Sequence, residues 1–342
     1  MQTQTLNIKE IEALALQALL AAGTSLENAK GLAYATAMTE ADGIASHGLA
    51  YIPIYCEHVQ CGKVDGNAKP SMEIKSPVMI AVDAACGFAH PAIDLGFPLL
   101  FERAKAQGIA ILLVKNSYNC GVLGYHSHRI AKAGLVGLGF TNAPASIAPA
   151  GGAKPVLGTN PFSLAVPDMQ GEAAILIDQS ASIIAKSEIM KHAREEKEIP
   201  LGWALDEAGQ PTSDPNIALK GSMAPLGWPS ASHKGVGMAL LTEMMAAVLT
   251  GACLGMHASP FSGTKGGPPK TGQCFIAINP AMTSDENSFL QHITDLTQAI
   301  QSQVGAHMPG DGRKKKREQA AIEGVAVNQA TLDKIQAIID NH

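Results

Sequence analysis

The chain has 342 residues, of which 46% are hydrophobic, 16% are charged and 4% are aromatic. This length corresponds to roughly two domains of ~150 residues, and the low content of charged residues argues against a disordered chain. The formal net charge of −5 argues against a nucleic-acid partner, because such proteins usually carry a basic domain or stripe. The 34 glycines and 20 prolines have no regular period, which predicts many turns or close backbone approaches.

Helical signals dominate the first sixty residues. Apolar residues recur at helical spacing before Gly23, which stands where a C-terminal cap is expected. A capping-box sequence at 24–27 introduces a second predicted helix over 26–38, and a third is predicted over 52–60. The apolar residues of the first helix are Ile8, Ile11, Leu14 and Leu19.

From residue 79 onwards, short apolar runs alternate with longer amphipathic segments, which predicts a central α/β unit. Residues 200–215 are rich in turn-forming residues and are expected to form a surface excursion. Strands are predicted over 79–82, 109–114, 135–141, 162–166, 174–178 and 274–278. Helices are predicted over 94–107, 124–133, 238–250, 288–304 and 331–340.

The sequence carries no signal for export, for a membrane span or for a metal. Residues 1–10 have no apolar signal-peptide core, and no apolar run is long enough to cross a bilayer. None of the six cysteines forms a C-x-x-C pair, and His126 and His128 cannot share one helix face. We therefore expect a cytoplasmic protein with reduced thiols, no membrane partner and no metal site.

Familiar nucleotide-binding and hydrolase motifs are absent from the sequence. The pairs Gly137/Gly139 and Gly235/Gly237 both lack the third glycine of a G-x-G-x-x-G fingerprint. The sequence also contains no G-x-x-x-x-G-K-[ST] phosphate loop and no G-x-S-x-G nucleophile elbow. The sequence is therefore compatible with an α/β enzyme, but it contains none of these common motifs.

Ser46-His47-Gly48 is the first of several polar segments with chemical potential. It follows the carboxylates Glu40 and Asp42 closely in sequence. A histidine can donate or accept a proton near neutral pH, and a neighbouring Ser together with a carboxylate elsewhere in the chain can orient its ring. A Ser-His pair taken alone is more often structural, so both interpretations stay open at this point.

Three further segments suggest ligand contacts. Residues 116–121 directly follow an apolar strand, where polar groups can meet a phosphate or ribose, or can form an ordinary loop. Residues 142–160 contain many turn-forming residues but are too long for a plain connection. His233 and Lys234 precede a predicted helix, where a cation is disfavoured by the helix dipole unless an anion is bound.

Taken together, these segments resemble the type-2 malate/L-lactate dehydrogenase family of NAD(P)-dependent oxidoreductases. The matching pieces run in the family's order over nearly the whole chain, and their combination is highly specific. They are Ser46-His47-Gly48, Asn116-Ser117 with Gly121 and Gly124-Tyr125, Ala148-Pro149 with Gly151-Gly152, Leu157-Gly158-Thr159-Asn160-Pro161, Ile199-Pro200 with Gly202-Trp203-Ala204, His233-Lys234-Gly235, and Pro309-Gly310-Asp311.

The resemblance implies a fold of the α/β (α+β) class. It consists of a non-Rossmann NAD(P)-binding domain with a mixed, largely antiparallel sheet and a helical domain formed by both termini. We expect residues 1–70 and 285–342 to form the helical domain and residues 71–284 the NAD(P)-binding domain. Family members are typically homodimers, so the expected partners are a second copy of the chain and a small-molecule substrate. The expected cofactor is NADPH, with NADH as the alternative.

Two features resemble the family branch that reduces Δ1-piperideine-2-carboxylate and Δ1-pyrroline-2-carboxylate. His233 precedes Lys234 where malate-type members usually carry Tyr, and Glu188 stands where the imine reductases carry an acid. The resemblance therefore implies a relay of Ser46, His47 and Glu188, in which His47 is the proton donor for reduction to L-pipecolate or L-proline. The alternatives are a 2-hydroxy-acid dehydrogenase acting on malate, L-lactate or sulfolactate, and a non-catalytic nucleotide sensor.

The chain departs from the family pattern at three positions. Tyr51 replaces an Arg that binds the substrate carboxylate, Ala150 replaces a Trp, and Asn119 replaces a His of the cofactor loop. We therefore expect the carboxylate to be bound by Tyr51 as a hydrogen-bond donor or by Lys186, together with Thr159.

The resemblance also implies a set of cofactor contacts drawn from both halves of the chain. The basic run at 313–317 is interpreted as a solvated helical face, and contact of this run or of Lys115 with a 2′-phosphate is the alternative. The expected cofactor residues are Asn116, Ser117, Asn119, Cys120, Gly121, Asp178, Ser180, His233, Lys234, Pro309, Gly310 and Arg313.

Overall fold

The computed structural model describes residues 2–283 and 286–341 of the chain. Its strands are β1 (Thr3–Leu6), β2 (Ser71–Ser76), β3 (Met79–Asp83), β4 (Ile109–Ser117), β5 (Val136–Thr141), β6 (Phe162–Pro167), β7 (Ala173–Gln179), β8 (Ala204–Leu205), β9 (Ser222–Met223), β10 (Thr271–Ile278) and β11 (Val325–Asn328). Its α-helices are α1 (Ile8–Ala21), α2 (Leu26–Ala41), α3 (Ile52–Gln60), α4 (Ala89–Gln107), α5 (Leu123–Lys132), α6 (Lys186–Arg194), α7 (Pro215–Lys220), α8 (Ser232–Glu243), α9 (Glu286–Gln301), α10 (Asp311–Glu323) and α11 (Gln329–Asp340).

A seven-stranded sheet forms the centre of the described structure, in the order β2-β3-β4-β10-β5-β6-β7. Within it, β3 and β4 are parallel, and the other neighbouring strands are antiparallel. This mixed, largely antiparallel sheet agrees with the expectation from the resemblance. It differs from the mostly parallel sheet of a Rossmann domain, so the absence of a G-x-G-x-x-G fingerprint is consistent with the fold.

Helices cover both faces of the central strands, which explains why β4 and β10 are continuous apolar runs. Phe97 and Leu100 of α4 pack on Leu112 of β4 and Phe275 of β10, and all four side chains are buried. A second hydrophobic cluster forms where Ala246 packs with Phe140 of β5 and Cys274 of β10. Ala246 lies in the π-helical turn Met244–Val248, which follows α8. The sheet is thereby fixed as the rigid platform from which the loops of the site extend.

The two chain ends meet in a separate core. Strand β1 pairs antiparallel with β11, and helices α1, α2, α3 and α11 bury a common set of apolar side chains that includes Ile11, Leu32, Tyr55 and Ile335. The proposed helical domain over 1–70 and 285–342 stays a prediction, and its boundary at residue 285 lies outside the described residues. None of the described helices has the length and apolar character needed to cross a membrane.

The segment after β7 forms a third core and corrects one expectation. Residues 200–215 were expected to form a surface excursion, yet Ala204 and Leu205 are buried and form β8, which pairs with β9. Ile199 is buried with Ile147 and Met223 in the same cluster. The expectation was wrong for this part of the segment because the turn residues flank a short buried pair of apolar side chains.

Several elements differ from the sequence-based prediction at their ends. The helix predicted over 94–107 begins at Ala89, and the helix predicted over 238–250 begins at Ser232 and passes into the π-helical turn Met244–Val248. The prediction missed five strands and two helices, which are β1, β2, β8, β9, β11, α6 and α7. The burial pattern of β2 is exposed along almost its whole length, so apolar periodicity could not reveal it.

Candidate active site

The histidine singled out from the sequence lies in a tight double turn between α2 and α3. The turn consists of two 3₁₀ segments, Ala45–His47 and Leu49–Tyr51, and the second leads directly into α3. The Ser46 hydroxyl contacts Nδ1 of His47 at 3.1 Å. His47 is half-buried whereas Ser46 is exposed, so the imidazole is held from one side and its Nε2 is left for other partners.

The buried carboxylate of Glu40 is hydrogen-bonded to the backbone of this turn. Glu40 Oε2 accepts a hydrogen bond of 2.8 Å from the Leu49 backbone N–H. A Cβ atom on Gly48 would lie 1.7 Å from the same oxygen, so a residue with a side chain at this position would displace Glu40. Burial raises the pKa of Glu40 above its usual range, and the Leu49 N–H opposes that rise. Glu40 had no assigned role in the sequence, because no spacing rule links it to His47.

A carboxylate and a guanidinium from distant segments set the electrostatic environment of His47. Asp178 at the end of β7 forms an ion pair of 2.8 Å with Arg313 of α10. Burial lowers the pKa of His47, the Asp178 charge acts to raise it, and the Arg313 charge lowers it further. The fold therefore brings together Ser46, His47, Asp178 and Arg313, four of the residues expected at the site.

The Asp178–Arg313 pair also lies against the start of α5. A Cβ atom on Gly124 would lie 2.8 Å from both Arg313 Nη1 and Asp178 Oδ2. Any larger residue at position 124 would therefore push into the ion pair. Gly124, one of the residues that carry the family resemblance, is explained here by close packing rather than by a special backbone angle.

Tyr51 takes the position at which the family pattern has Arg, and it lies beside His47. The two rings are parallel, with centroids 5.9 Å apart and planes 4° apart. The Tyr51 hydroxyl accepts a hydrogen bond of 3.4 Å from Nδ2 of Asn119, and Oδ1 of Asn119 accepts one of 2.6 Å from the Gly121 N–H. Burial raises the pKa of Tyr51 to about 12, so the hydroxyl keeps its proton at neutral pH.

The loop after β4 is anchored to the sheet by its own side chains. Ser117 is buried and donates to Thr271 O at 3.0 Å and Gln273 Oε1 at 2.8 Å. Asn116 has a left-handed backbone (φ 51°) and donates from Nδ2 to Asp83 at 3.0 Å. These two side chains are committed to protein contacts, and Asn119 contacts Tyr51 and Gly121 in the same way, which leaves the loop backbone to meet a ligand.

Cys120 belongs to the same loop and is buried as well. Burial raises the pKa of its thiol to about 12, and the carbonyl of Cys120 accepts a hydrogen bond of 2.9 Å from Nε2 of His126. A thiol of this kind stays protonated at neutral pH and is a poor nucleophile. The buried Cys120 thiol is therefore poorly suited to act as a nucleophile.

Helix α6 carries two expected site residues, Glu188 and Lys186. The Glu188 carboxylate forms an ion pair of 3.7 Å with Lys191 of the same helix, and no hydrogen bond or ion pair between Glu188 and His47 is present in the described chain. Lys186 is the first residue of the helix, and desolvation lowers the pKa of its ammonium group. The relay of Ser46, His47 and Glu188 stays a prediction.

A network of buried polar groups holds the segment around Thr159 in place. Asn160 adopts a left-handed backbone (φ 41°) and donates from Nδ2 to Glu243 Oε2 at 2.7 Å. The other Glu243 oxygen accepts from the Gly255 N–H at 2.7 Å, and the Thr159 carbonyl accepts from the Ala181 N–H at 2.8 Å. Glu243 was missed from the sequence because it lies inside an apolar helical pattern.

Three further residues expected to bind the cofactor are His233, Lys234 and Ser180. His233 and Lys234 are exposed in the first turn of α8, and Ser180 donates or accepts at 2.9 Å with the hydroxyl of Ser182. No hydrogen bond or ion pair joins these three side chains to His47 in the part of the chain that the structure describes. Their assignment to the cofactor stays a prediction.

The segment before α10 packs along β7. The Pro309 carbonyl accepts a hydrogen bond of 3.0 Å from the Leu176 N–H. Gly310 has a φ of 100°, and a Cβ atom there would lie 2.8 Å from Leu176 Cβ. The segment therefore lies directly against β7, and this packing places Arg313 next to Asp178.

The basic run at 313–317 is only partly the solvated face that was expected. The three lysines are exposed, but Arg313 pairs with Asp178, and Arg317 forms a two-pronged ion pair with Asp42 at 2.6 and 3.0 Å. The solvated-face interpretation was therefore wrong for the two arginines, because i, i+4 spacing turns both towards the protein. Lys115 is 3.7 Å from the Asp83 carboxylate.

Comparison with known proteins matches residues 6–336 to a family model described as malate/L-lactate dehydrogenase. The (2R)-3-sulfolactate dehydrogenase (NADP(+)) of Chromohalobacter salexigens is 37% identical, over 98% of each chain. A Δ1-pyrroline-2-carboxylate reductase of Ancylobacter novellus is 35% identical, over 97% of each chain. The crystal structure of Δ1-piperideine-2-carboxylate reductase from Pseudomonas syringae pvar. tomato has a TM-score of 0.91 and 32% identity, covering 98% of this chain and 100% of that chain.

Proposed function

This chain belongs to the malate/L-lactate dehydrogenase family of NAD(P)-dependent oxidoreductases, and from that premise we propose that it reduces cyclic imino acids. The proposed substrates are Δ1-piperideine-2-carboxylate and Δ1-pyrroline-2-carboxylate, and the products are L-pipecolate and L-proline. The observation that carries this choice is the neutral Tyr51–Asn119 pair beside His47. A site without a guanidinium at this position suits a substrate with one carboxylate better than one with two acidic groups.

The residues around the Asp178–Arg313 pair fit a nucleotide cofactor. Arg313, Lys314 and Arg317 line a small pocket together with Pro309 and Gly310. Glu172 and Asp311 also line this pocket, and Arg313 and Arg317 are paired with Asp178 and Asp42. The exposed Lys314 is therefore the candidate to contact a 2′-phosphate and to favour NADPH over NADH. We propose that this pocket and the Asn119–Gly121 loop hold the cofactor, which supplies the hydride when it is bound.

We propose that His47 supplies the proton that reduction of the C=N bond requires. One hydride and one proton are added in total, so the carbon is reduced and the nitrogen receives the proton from the imidazolium. Ser46 contacts Nδ1, which leaves Nε2 as the nitrogen that faces the substrate. Burial lowers the pKa of His47 and makes the imidazolium a stronger acid, which favours release of the proton.

The other residues expected at the site are assigned to binding the substrate carboxylate and to returning a proton to His47. We propose that Thr159 and Lys186 bind the carboxylate and that Glu188 replenishes the proton on His47. Asp178 is a second candidate for the acid, because its charge acts directly on the pKa of His47.

One assay with purified protein tests this proposal against the alternatives. Oxidation of NADPH and of NADH is followed in parallel with both cyclic imines, oxaloacetate, pyruvate and sulfopyruvate. Preference for the imines supports the proposal, and activity on the oxo acids alone would overturn it in favour of a 2-hydroxy-acid dehydrogenase. That second candidate is favoured by the 37% identical sulfolactate dehydrogenase. A protein that binds the cofactor without any turnover would be a sensor.

We further propose that the protein forms a homodimer through one face of α8 and the π-helical turn. Leu240, Leu241, Met244, Val248 and Leu249 are between 43% and 56% exposed and recur along this face. Apolar stripes of this kind on a folded chain mark interaction surfaces. Light scattering should give twice the mass of the chain for the wild type and a monomer for Leu241→Asp combined with Leu249→Asp.

A further inference from the structure

Asn160 and Glu243 form a buried polar pair next to Thr159. Asn160 directly follows Thr159 in the segment 142–160, and Glu243 is the last residue of α8. Asn160 is fully buried and Glu243 is 4% exposed, so bulk water does not satisfy their polar atoms. Polar atoms buried in this way need partners within the protein, and those partners determine how the two side chains are held.

The orientation of the Asn160 amide is fixed by two backbone groups. Its Oδ1 accepts a hydrogen bond of 3.1 Å from the Ala143 N–H, and its Nδ2 donates to the Ala239 carbonyl at 2.9 Å. An N–H can only donate and a carbonyl can only accept, so the amide cannot be turned over without losing both bonds. The amide group therefore also donates to Glu243 Oε2, which lies 2.7 Å from Nδ2.

Glu243 accepts a hydrogen bond on each of its two carboxylate oxygens. Oε2 accepts from Asn160, and Oε1 accepts a hydrogen bond of 2.7 Å from the Gly255 N–H. A Cβ atom on Gly255 would lie 2.6 Å from the Ala143 carbonyl oxygen, so the loop at Gly255 packs directly on the segment 142–160. Glu243 thereby joins the end of α8, this loop and the segment that carries Thr159.

The network closes the segment 142–160 and leaves Thr159 open. The bond between Asn160 and Ala143 joins its two ends, and a Cβ atom on Gly158 would lie 2.2 Å from the Ala143 carbonyl oxygen. Gly158 and Asn160 are buried, whereas Thr159 between them is partly exposed. No hydrogen bond engages the Thr159 hydroxyl within the described part of the chain. A rigid backbone thus presents a hydroxyl that is available to a ligand.

We propose that Asn160 and Glu243 are positioning residues that hold the Thr159 hydroxyl where it meets the substrate carboxylate. This inference rests on the proposed function, which assigns Thr159 to that carboxylate. Asn160 and Glu243 do not touch the substrate and act through the backbone on both sides of Thr159. A group that is already held in place loses little conformational freedom when it binds, so a looser segment should weaken substrate binding.

Glu243→Gln is the variant that tests this role. The new amide offers one oxygen and one NH₂ group, but both positions face N–H donors, so one hydrogen bond of the network must be lost. The loosened Thr159 hydroxyl should then lose its hydrogen bond to the substrate carboxylate. We expect KM for Δ1-pyrroline-2-carboxylate to rise about tenfold, the worth of one hydrogen bond to a charged group. KM for NADPH should stay unchanged.

Two further variants show whether the effect passes through Thr159. Thr159→Val removes the hydroxyl, and in this background Glu243→Gln should raise KM for the imine no further, so the two effects should not add. The matched control is Thr242→Val, beside Glu243 in α8. The Thr242 hydroxyl is buried and has no hydrogen-bond partner in the described part of the chain, so its loss should leave every kinetic constant unchanged.

A reciprocal exchange tests the same contact in a form that keeps it intact. When Asn160→Asp is combined with Glu243→Gln, the new carboxylate can accept from the new amide, and the amide oxygen can still accept from the Gly255 N–H. KM for the imine should then lie below the value of Thr159→Val and below that of Glu243→Gln alone. Thermal melting and NADPH fluorescence titration show that each variant is folded.

The outcomes separate this inference from the proposed function. If the wild type reduces a 2-oxo acid but no cyclic imine, the proposed function fails, and the same variants test the inference with that acid, which also carries a carboxylate. If the wild type reduces neither, both fail. If it reduces imines but Glu243→Gln leaves their KM unchanged, the inference alone is overturned. It is also overturned if KM rises further in the Thr159→Val background, if KM for NADPH rises equally, or if the reciprocal exchange restores nothing.

Discussion

His47 and the pair His90/His126 show how differently one fold can treat the same side chain. His90 and His126 are buried within α4 and α5, their rings lie 5.2 Å apart, and Nδ1 of each has no hydrogen-bond partner in the part of the chain that the structure describes. Burial lowers the pKa of His90 to about 3 and that of His126 well below its usual range. Both rings are therefore locked in the neutral form.

His47 is only half-buried, and one carboxylate and one guanidinium act on it electrostatically. Burial lowers its pKa as well, but Asp178 opposes this effect and Arg313 adds to it. The difference shows that full burial removes an imidazole from acid–base chemistry, whereas partial burial beside a carboxylate keeps it able to exchange a proton. The predictions below test this distinction, beginning with the largest expected effect.

Replacement of His47 should have the largest consequence. We expect His47→Ala to lower kcat for imine reduction by about 10²- to 10⁴-fold, because it removes a positioned proton donor. Cofactor binding, measured by NADPH fluorescence titration, should be unchanged. Near-normal turnover in this variant would show that His47, like His90, does not donate the proton.

Glu188→Gln tests whether α6 contributes an acid to His47. If Glu188 belongs to the relay, kcat should fall by about 10- to 100-fold, the worth of one hydrogen bond to a charged group. The matched control is Lys191→Met, which removes the ion pair with Glu188 but leaves the carboxylate. Equal and small effects of both substitutions would assign Glu188 to the helix surface and leave Asp178 as the acid.

Asp178→Asn and Arg313→Met should move the pH profile in opposite directions. Reduction requires protonated His47, so kcat at saturating NADPH should fall as the pH rises through the pKa of this residue. Loss of the Asp178 charge lowers that pKa further and moves the falling limb to lower pH, whereas loss of the Arg313 charge moves it to higher pH. Shifts of the same sign in both variants would contradict the electrostatic description of the site.

His126→Phe should have the smallest effect and only on stability. The substitution keeps a ring of similar shape but removes the hydrogen bond of 2.9 Å to the Cys120 carbonyl. We expect a loss of about 1 kcal/mol in the free energy of unfolding, measured with denaturant, and an unchanged pH profile of kcat. A displaced pH profile would mean that the buried pair takes part in proton transfer.

The sequence alone determined the family and much of the local structure. Ser46, His47 and the other motif residues identified the family because their order over the whole chain is specific. Helix α3 and strand β4 were recognisable because their apolar residues follow helical spacing or form a continuous run bounded by turns. The neutral residue at position 51 was also visible as a departure from the family pattern.

The tertiary structure alone decided which charges and hydrogen bonds reach His47. Asp178, Arg313 and Glu40 lie up to hundreds of residues apart in the chain, and no local pattern encodes the ion pair of 2.8 Å or the buried carboxylate under Gly48. The buried contacts of His58 with the Tyr118 hydroxyl and the Gly263 carbonyl also join segments that meet only after folding. Periodicity predicts which face of an element is buried, but pKa values and hydrogen-bond directions depend on contacts between distant segments.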